Sequence, residues 1–103
     1  SAGSFFMNPI VSPEVAANLL ERFPNMPHYS MPNGVKIPAG WLIEQAEWKG
    51  KSLGNAGVHP QQALVLINKG GATGAEVAHL AQTIQQDVEQ KFGISLHPEV
   101  MFL

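Results

Sequence analysis

Three features of the sequence predict an α+β fold, a small sheet covered by helices in a single domain over residues 1–103. A long amphipathic helical pattern runs from Gly74 to Phe92, and a nearly continuous apolar run of strand length occupies Ala63 to Asn68. Short strand-like segments, Gly3 to Pro9 and Leu96 to Phe102, stand at the two ends. The predicted order is strand, helix, loop, helix, strand, helix, strand, without internal repeat, as expected where helices cover one small sheet.

The first segment, Gly3-Ser4-Phe5-Phe6-Met7-Asn8-Pro9, places a hydroxyl among bulky apolar residues. The Phe pair favours a pleated, half-buried strand, and Pro9 removes a donor and pushes Asn8 toward extended geometry. Taken alone, Ser4 reads as an ordinary strand serine. The C-terminal segment is likewise apolar and interrupted by a carboxylic acid, Glu99, so the two ends are candidates for neighbours in one sheet. Ser12-Pro13-Glu14 is a helix start with a hydroxyl cap, Pro at the first position and an acid in the first turn. Val15, Leu19 and Phe23, with Ala16 and Leu20, give that helix its expected buried face, and Pro24 ends it.

From Asn25 to Pro38 the chain is rich in Pro, Met, Asn and Gly without apolar period, which predicts a long loop carrying His28, Tyr29 and Lys36. Residues 39–46 predict a short helix. The Gly-containing run 50–57 reads as turn chemistry, since it lacks both the Gly-Lys-Ser/Thr ending of a P-loop and the Gly-x-Gly-x-x-Gly spacing of a dinucleotide fold. The apolar run at 63–68 suits a central strand buried on both faces. Thr73-Gly74-Ala75-Glu76 is a capping box. Val77, Leu80, Ala81, Ile84, Val88 and Phe92 follow the helical period behind it, Gln82, Gln85, Gln86 and Glu89 face away, and Gly93 supplies the C-terminal cap.

The chain has 103 residues, 45% of them hydrophobic, enough for one core that buries roughly 60–70% of the unfolded surface. Only 14% of residues are charged, against about 25% in typical domains, so part of the surface is expected to pack against something else. The abrupt ends, at Ser1-Ala2-Gly3 and Met101-Phe102-Leu103, give the look of a domain excised from a longer chain. A net charge of −2 without a basic cluster argues against nucleic acid or an anionic membrane as partner. No apolar run is long enough to span a bilayer and no signal-peptide layout is present, so the default expectation is a cytoplasmic location. The absence of Cys excludes disulfides and thiolate metal sites. His28, His59, His79 and His97 stand at least eighteen residues apart, so no local ligand pair exists and no metal is expected. A Ser-His-Asp hydrolase is not supported either, because no Gly-x-Ser-x-Gly elbow occurs and the only Asp, Asp87, falls on the polar side of the long helix.

Several stretches taken together carry a family resemblance: Gly3-Ser4-Phe5-Phe6-x-Asn8-Pro9, Ala39-Gly40-Trp41-Leu42-Ile43-Glu44, Lys49-Gly50, His59-Pro60-Gln61-Gln62-Ala63-Leu64-Val65 and Leu96-x-Pro98-Glu99-Val100. In this order and spacing they resemble the C-terminal domain of UDP-N-acetylenolpyruvoylglucosamine reductase, also called UDP-N-acetylmuramate dehydrogenase, over essentially the whole chain. The resemblance implies part of a flavoenzyme that reduces the enolpyruvyl ether of UDP-N-acetylglucosamine enolpyruvate in bacterial peptidoglycan synthesis. It further implies NADPH as reductant and an FAD held by N-terminal domains that these residues do not include. This polypeptide alone is then expected to bind no FAD and to be inactive.

By the same resemblance Ser4 corresponds to the proton donor and Glu99 to the second catalytic residue, while Asn8, Tyr29, Lys36 and Gln62 match substrate-contact positions. The implied chemistry is coherent: hydride addition to the vinyl carbon leaves negative charge beside the carboxylate, a site basic enough for a serine hydroxyl to protonate. Glu99 would hold or polarise that site, Tyr29 offers a flat face for uracil, and Lys36 a point charge for a diphosphate. Many members carry a basic residue where this chain has Met7, an acid where it has His97 and Arg where it has Met101, which alters the charge beside the candidate site. The alternative, from a different functional class, is a self-sufficient nucleotide-sugar binding module without chemistry; the length of the encoding reading frame separates the two.

Overall fold

The longest helix organises the molecule. In the computed structural model, which describes residues 5–63, 66–68 and 70–99, it spans Gly74–Phe92 and is the last of nine elements. In chain order these are β1 (Ile10–Val11), α1 (Pro13–Arg22), β2 (Tyr29–Met31), β3 (Gly34–Lys36), α2 (Ala39–Gln45), β4 (Ser52–Leu53), β5 (Ala56–Val58), β6 (Leu66–Asn68) and α3 (Gly74–Phe92). The expected α+β class holds, but the described strands form two three-stranded antiparallel sheets, ordered β1-β3-β2 and β4-β5-β6, where a single small sheet was expected.

The helix α3 forms as its sequence dictates. The Thr73 hydroxyl accepts from the Glu76 amide at 3.1 Å while a Glu76 carboxylate oxygen accepts from the Thr73 amide at 2.9 Å, closing the reciprocal box. At the far end Gly93 takes a left-handed φ of 71°, which only glycine adopts without cost, and its amide donates to the Glu89 carbonyl. Between the caps Leu80, Ala81, Ile84, Val88 and Phe92 are buried as one stripe, and burying each large member contributes about 1.5–3 kcal/mol. Strands β4 and β5 and helix α2 pack on this helix. Gln85 does not face away as its place in the period suggested: its Nε2 donates to the Leu96 carbonyl at 2.8 Å. That bond holds the segment after α3 against the helix, so Ile94 and Leu96 are buried. Asp87 is half-buried, and its carboxylate accepts from the Trp48 indole at 2.8 Å.

The first helix starts at the expected cap, with the Ser12 hydroxyl accepting from the Val15 amide. Its buried face is narrower than the period suggested, because Ala16 and Leu19 are buried whereas Val15 is 39% exposed. Its C-terminus is pinned by aromatic packing: Phe23, Trp41 and Phe92 meet with centroids 5.2–5.8 Å apart. The Arg22 guanidinium donates to the Lys91 carbonyl beside them.

The stretch expected to be a long loop contains the hairpin β2–β3. Three-residue strands are too short to show alternation, so the informative signal was the turn, Met31-Pro32-Asn33-Gly34, in which Pro32 and Asn33 form the loop of the hairpin. Gly34 is required twice over: its φ is +144°, and a Cβ there would come within 2.5 Å of the Val11 carbonyl oxygen as β1 crosses β3. Likewise the run 50–57 is more than turns. It holds β4, the two-residue Gly54-Asn55 connection and the first two residues of β5. Among the described strands, the one expected at the centre of its sheet, β6, stands at the end of the order, with Leu66 and Ile67 half-buried, and β5 between its two neighbours has every residue buried, although its Ala56-Gly57-Val58 has too few large residues to announce itself. Leu64 and Val65 of that apolar run lie outside the described residues.

Two measurements test this account. Ile84→Ala should lower stability by about 2–5 kcal/mol, a fall in the thermal midpoint of roughly 10 °C or more, because its cavity lies where two layers meet. The second concerns pH. The Thr73 amide, then the Asn55 amide at 3.4 Å, hold the Glu76 carboxyl below the ordinary glutamate value. A carboxyl lowered on folding contributes stability above its unfolded pKa and loses it as pH falls through the folded one. Glu76→Gln, which keeps an acceptor but no charge, should therefore flatten the acid limb of the midpoint-against-pH curve; an unchanged limb would count against the clasp.

Candidate functional site

Residues 5–7 and 97–99, near the two ends of the chain, meet. The Met7 amide donates to the His97 carbonyl at 2.8 Å and the Glu99 amide to the Phe5 carbonyl at 2.7 Å, on either side of an antiparallel bridge between Phe6 and Pro98. The expected neighbouring of the two end segments thus holds for their described part, where it is a single bridge outside the named strands. Phe6 anchors it, 1% exposed and in edge contact with Phe5 at 5.0 Å. Glu99 is exposed and sits directly across from Phe5. Ser4, the expected proton donor, lies outside the described residues, as does Met101.

Just beyond the ladder the chain runs through Asn8 and Pro9 into β1. Asn8 is already employed: its Oδ1 accepts from the Ala39 amide at 2.8 Å. Helix α2 begins after Pro38, which has no side-chain acceptor to offer, and Asn8 takes the orphan donor from a distance of thirty-one residues. The neighbouring Ile37 amide donates to the Pro9 carbonyl, fixing the end of β3 beside this segment. That leaves its side-chain NH2 and the second lone pair of Oδ1 for a ligand.

Sheet β1-β3-β2 then brings two more candidates together. Ile10 pairs with Lys36 and Lys36 with Tyr29, so the three form one cross-strand row on one face, while Val11, on the other, packs against the core. The row faces outward: Tyr29 is 54% and Ile10 42% exposed. The Lys36 ammonium lies 5.8 Å from the Tyr29 ring centroid, a cation–π pair that holds a flat aromatic face and a positive charge side by side. A groove of about 230 Å³ adjoins the row, lined by Met7, Asn8, Pro9, Ile10, Ser95 and His97. Two of the residues whose type departs from the family pattern, Met7 and His97, thus line one groove with Asn8.

Gln62 stands apart. It is exposed on the turn after β5, and no hydrogen bond among the described residues joins it to Asn8, Tyr29 or Lys36. Its backbone amide and that of Gln61 both donate to His59 Nδ1, at 3.1 and 3.0 Å. Sequence reasoning placed His59 in a family motif but gave it no role, since a ring nitrogen acting as a turn acceptor has no spacing signature of its own. His79 is exposed at a shallow surface groove with Leu53, Gly54, Ala75 and Glu76, as its position on the helix suggested. No three His, Asp or Glu side chains gather into a metal-binding group among the described residues.

The comparisons with known proteins bear on this arrangement. Residues 1–103 match the family model for the UDP-N-acetylenolpyruvoylglucosamine reductase C-terminal domain. Proteins named UDP-N-acetylenolpyruvoylglucosamine reductase from Bacteroides fragilis, Yersinia pestis and Porphyromonas gingivalis are each 55% identical over 104 aligned positions. The alignments cover 100% of this chain but only 31%, 30% and 31% of those proteins, so the chain spans about a third of the length of these relatives. With its whole length matched by the family model and by relatives at this identity, the chain belongs to the UDP-N-acetylenolpyruvoylglucosamine reductase C-terminal domain family.

Proposed function

We propose that this chain is the substrate-binding and proton-donating domain of a full-length UDP-N-acetylenolpyruvoylglucosamine reductase, a cytoplasmic enzyme of peptidoglycan synthesis that makes UDP-N-acetylmuramate. The observation that carries the reading is the outward row of β1-β3-β2. Tyr29 offers a flat face to stack on a uracil, Lys36 beside it offers a cation to a diphosphate, and Asn8 lies two residues from the Ile10 end of the same row. The groove at Asn8 leads from that row toward the ladder of Phe5–Met7 with His97–Glu99. In this reading the sugar and enolpyruvyl ether extend along the groove, and Gln62 completes the contact set.

The reductant is assigned to another part of the full protein. The Gly70–Gly74 connection between β6 and α3 lacks dinucleotide spacing, which supports that assignment. An FAD held in that other part of the full-length protein, once reduced by NADPH, would supply the hydride for the vinyl carbon. The residues of this domain then handle the rest: Ser4 gives its proton to the carbon beside the carboxylate, and Glu99 holds that site polarised. Met7 and His97 shape the groove wall with an apolar side chain and an imidazole.

Two experiments test the reading. In the full-length protein, Ser4→Ala should leave flavin reduction by NADPH nearly intact while slowing substrate reduction by about 10²–10⁴-fold, and Glu99→Gln should slow the same half-reaction. Equal slowing of both half-reactions, or none, would make Ser4 a packing residue. In the chain itself, amide chemical shifts on adding UDP-N-acetylglucosamine enolpyruvate should concentrate between His28 and Ile37 and near Gln62; shifts confined to α3 would contradict the assignment of Tyr29 and Lys36.

A further inference from the structure

The turn from His59 to Gln62 is folded onto a single ring nitrogen. His59 Nδ1 accepts the Gln61 amide at 3.0 Å and the Gln62 amide at 3.1 Å, while Pro60 between them and the ring has no N–H to give. An acceptor serving the amides two and three residues ahead is what Asp, Asn or Ser provides in a turn or at a helix N-cap, and here an imidazole in its Nε2–H form takes that part. The turn has a seat as well. Gly50 packs alongside it, where a Cβ would stand in ordinary van der Waals contact with the Pro60 Cα at 3.7 Å, and the Val58 amide just before His59 donates to the Lys51 carbonyl at 2.8 Å. His59 is half-buried while Gln62 is exposed, so the turn has a fixed end and a presented end.

We propose that His59 is a positioning residue of the substrate site: by accepting both amides it fixes the backbone of Gln62 and aims its side-chain amide at the UDP-sugar. This rests on the reading of Gln62 as a substrate contact. The alternative role, ring packing alone, makes a different demand on the side chain. Packing needs a ring of similar size; positioning needs an acceptor at the Nδ1 place, which an Asn carbonyl oxygen can supply from a shorter side chain.

The test uses the full-length protein with His59→Phe, His59→Asn and Gln62→Ala, and reads hydrogen exchange over the peptide holding Gln61 and Gln62 together with KM and kcat for the enolpyruvyl substrate. His59→Phe should speed exchange in that peptide and raise KM roughly five- to tenfold, the loss expected for one freed contact, with kcat changed less than about twofold. His59→Asn should return both readouts close to the parent. Parental exchange in His59→Phe, or a His59→Asn variant as impaired as His59→Phe, overturns the inference. Gln62→Ala at parental KM defeats the assignment of Gln62 to the substrate, whereas a raised KM in Gln62→Ala with a parental KM in His59→Phe defeats the positioning role alone. Should His59→Phe not fold, His59→Gln takes its place, since its longer side chain moves the acceptor away from the two amides and is expected to give the same rise in KM.

Discussion

The buried stripe of α3 is the constraint on which the remaining structure depends. Leu80, Ile84 and Val88 have no exposed surface, and Phe92 closes the stripe against Phe23 and Trp41. A helix so apolar along one face must be covered, and each strand of β4-β5-β6 is too short to stand alone in water. The stripe therefore stabilises the sheet as much as the sheet covers the stripe. It also directs the chain beyond the helix: with Gly93 reversing its course and Gln85 holding the Leu96 carbonyl, the segment after α3 returns along the helix to the start of the chain.

That return brings residues 97–99 against residues 5–7, and the candidate site lies at the junction. Phe6, buried at 1% exposure, fixes the N-terminal segment, and the bonds at Met7 and Glu99 fix the C-terminal one against it. From there Asn8 and Pro9 lead directly to the outward row of the first sheet. Tyr29 and Lys36 belong to a hairpin with little burial of its own, held by β1 on one side and by the Asn8 and Pro9 contacts at its end. Such elements have low local stability and are where a ligand finds exposed groups on a backbone of defined register.

A second theme is the use of side chains to satisfy backbone groups far away in sequence. Asn8 caps α2, Gln85 holds the Leu96 carbonyl, Arg22 the Lys91 carbonyl, and Glu76 reaches the Asn55 amide in the β4–β5 turn. Among the described residues, neutral or charge-assisted bonds to main-chain groups outnumber ion pairs, as the low charge content suggests. The exposed Glu44–Lys49 pair at 3.5 Å contributes little by comparison. Each borrowed bond joins elements that hydrophobic packing alone would leave free to slide.

The sequence by itself determined the α+β class, the start of α1, both caps of α3 and its buried stripe, because each rests on residues three or four positions apart and on side-chain chemistry that needs no partner elsewhere. It also pointed, through the motifs of its family, to Ser4, Asn8, Tyr29, Lys36, Gln62 and Glu99. The tertiary structure alone decided where short strands form. Tyr29–Met31 and Gly34–Lys36 are strands because β1 supplies the third row and Gly34 lets it approach, and Ala56–Val58 is the fully buried one because two neighbours and α3 enclose it. It likewise decided that Val15 is exposed, that Gln85 turns inward, and that Asn8 and His59 each commit an acceptor to the backbone. These outcomes hang on partners far away in sequence or on a single ring nitrogen, and no local period or spacing encodes them.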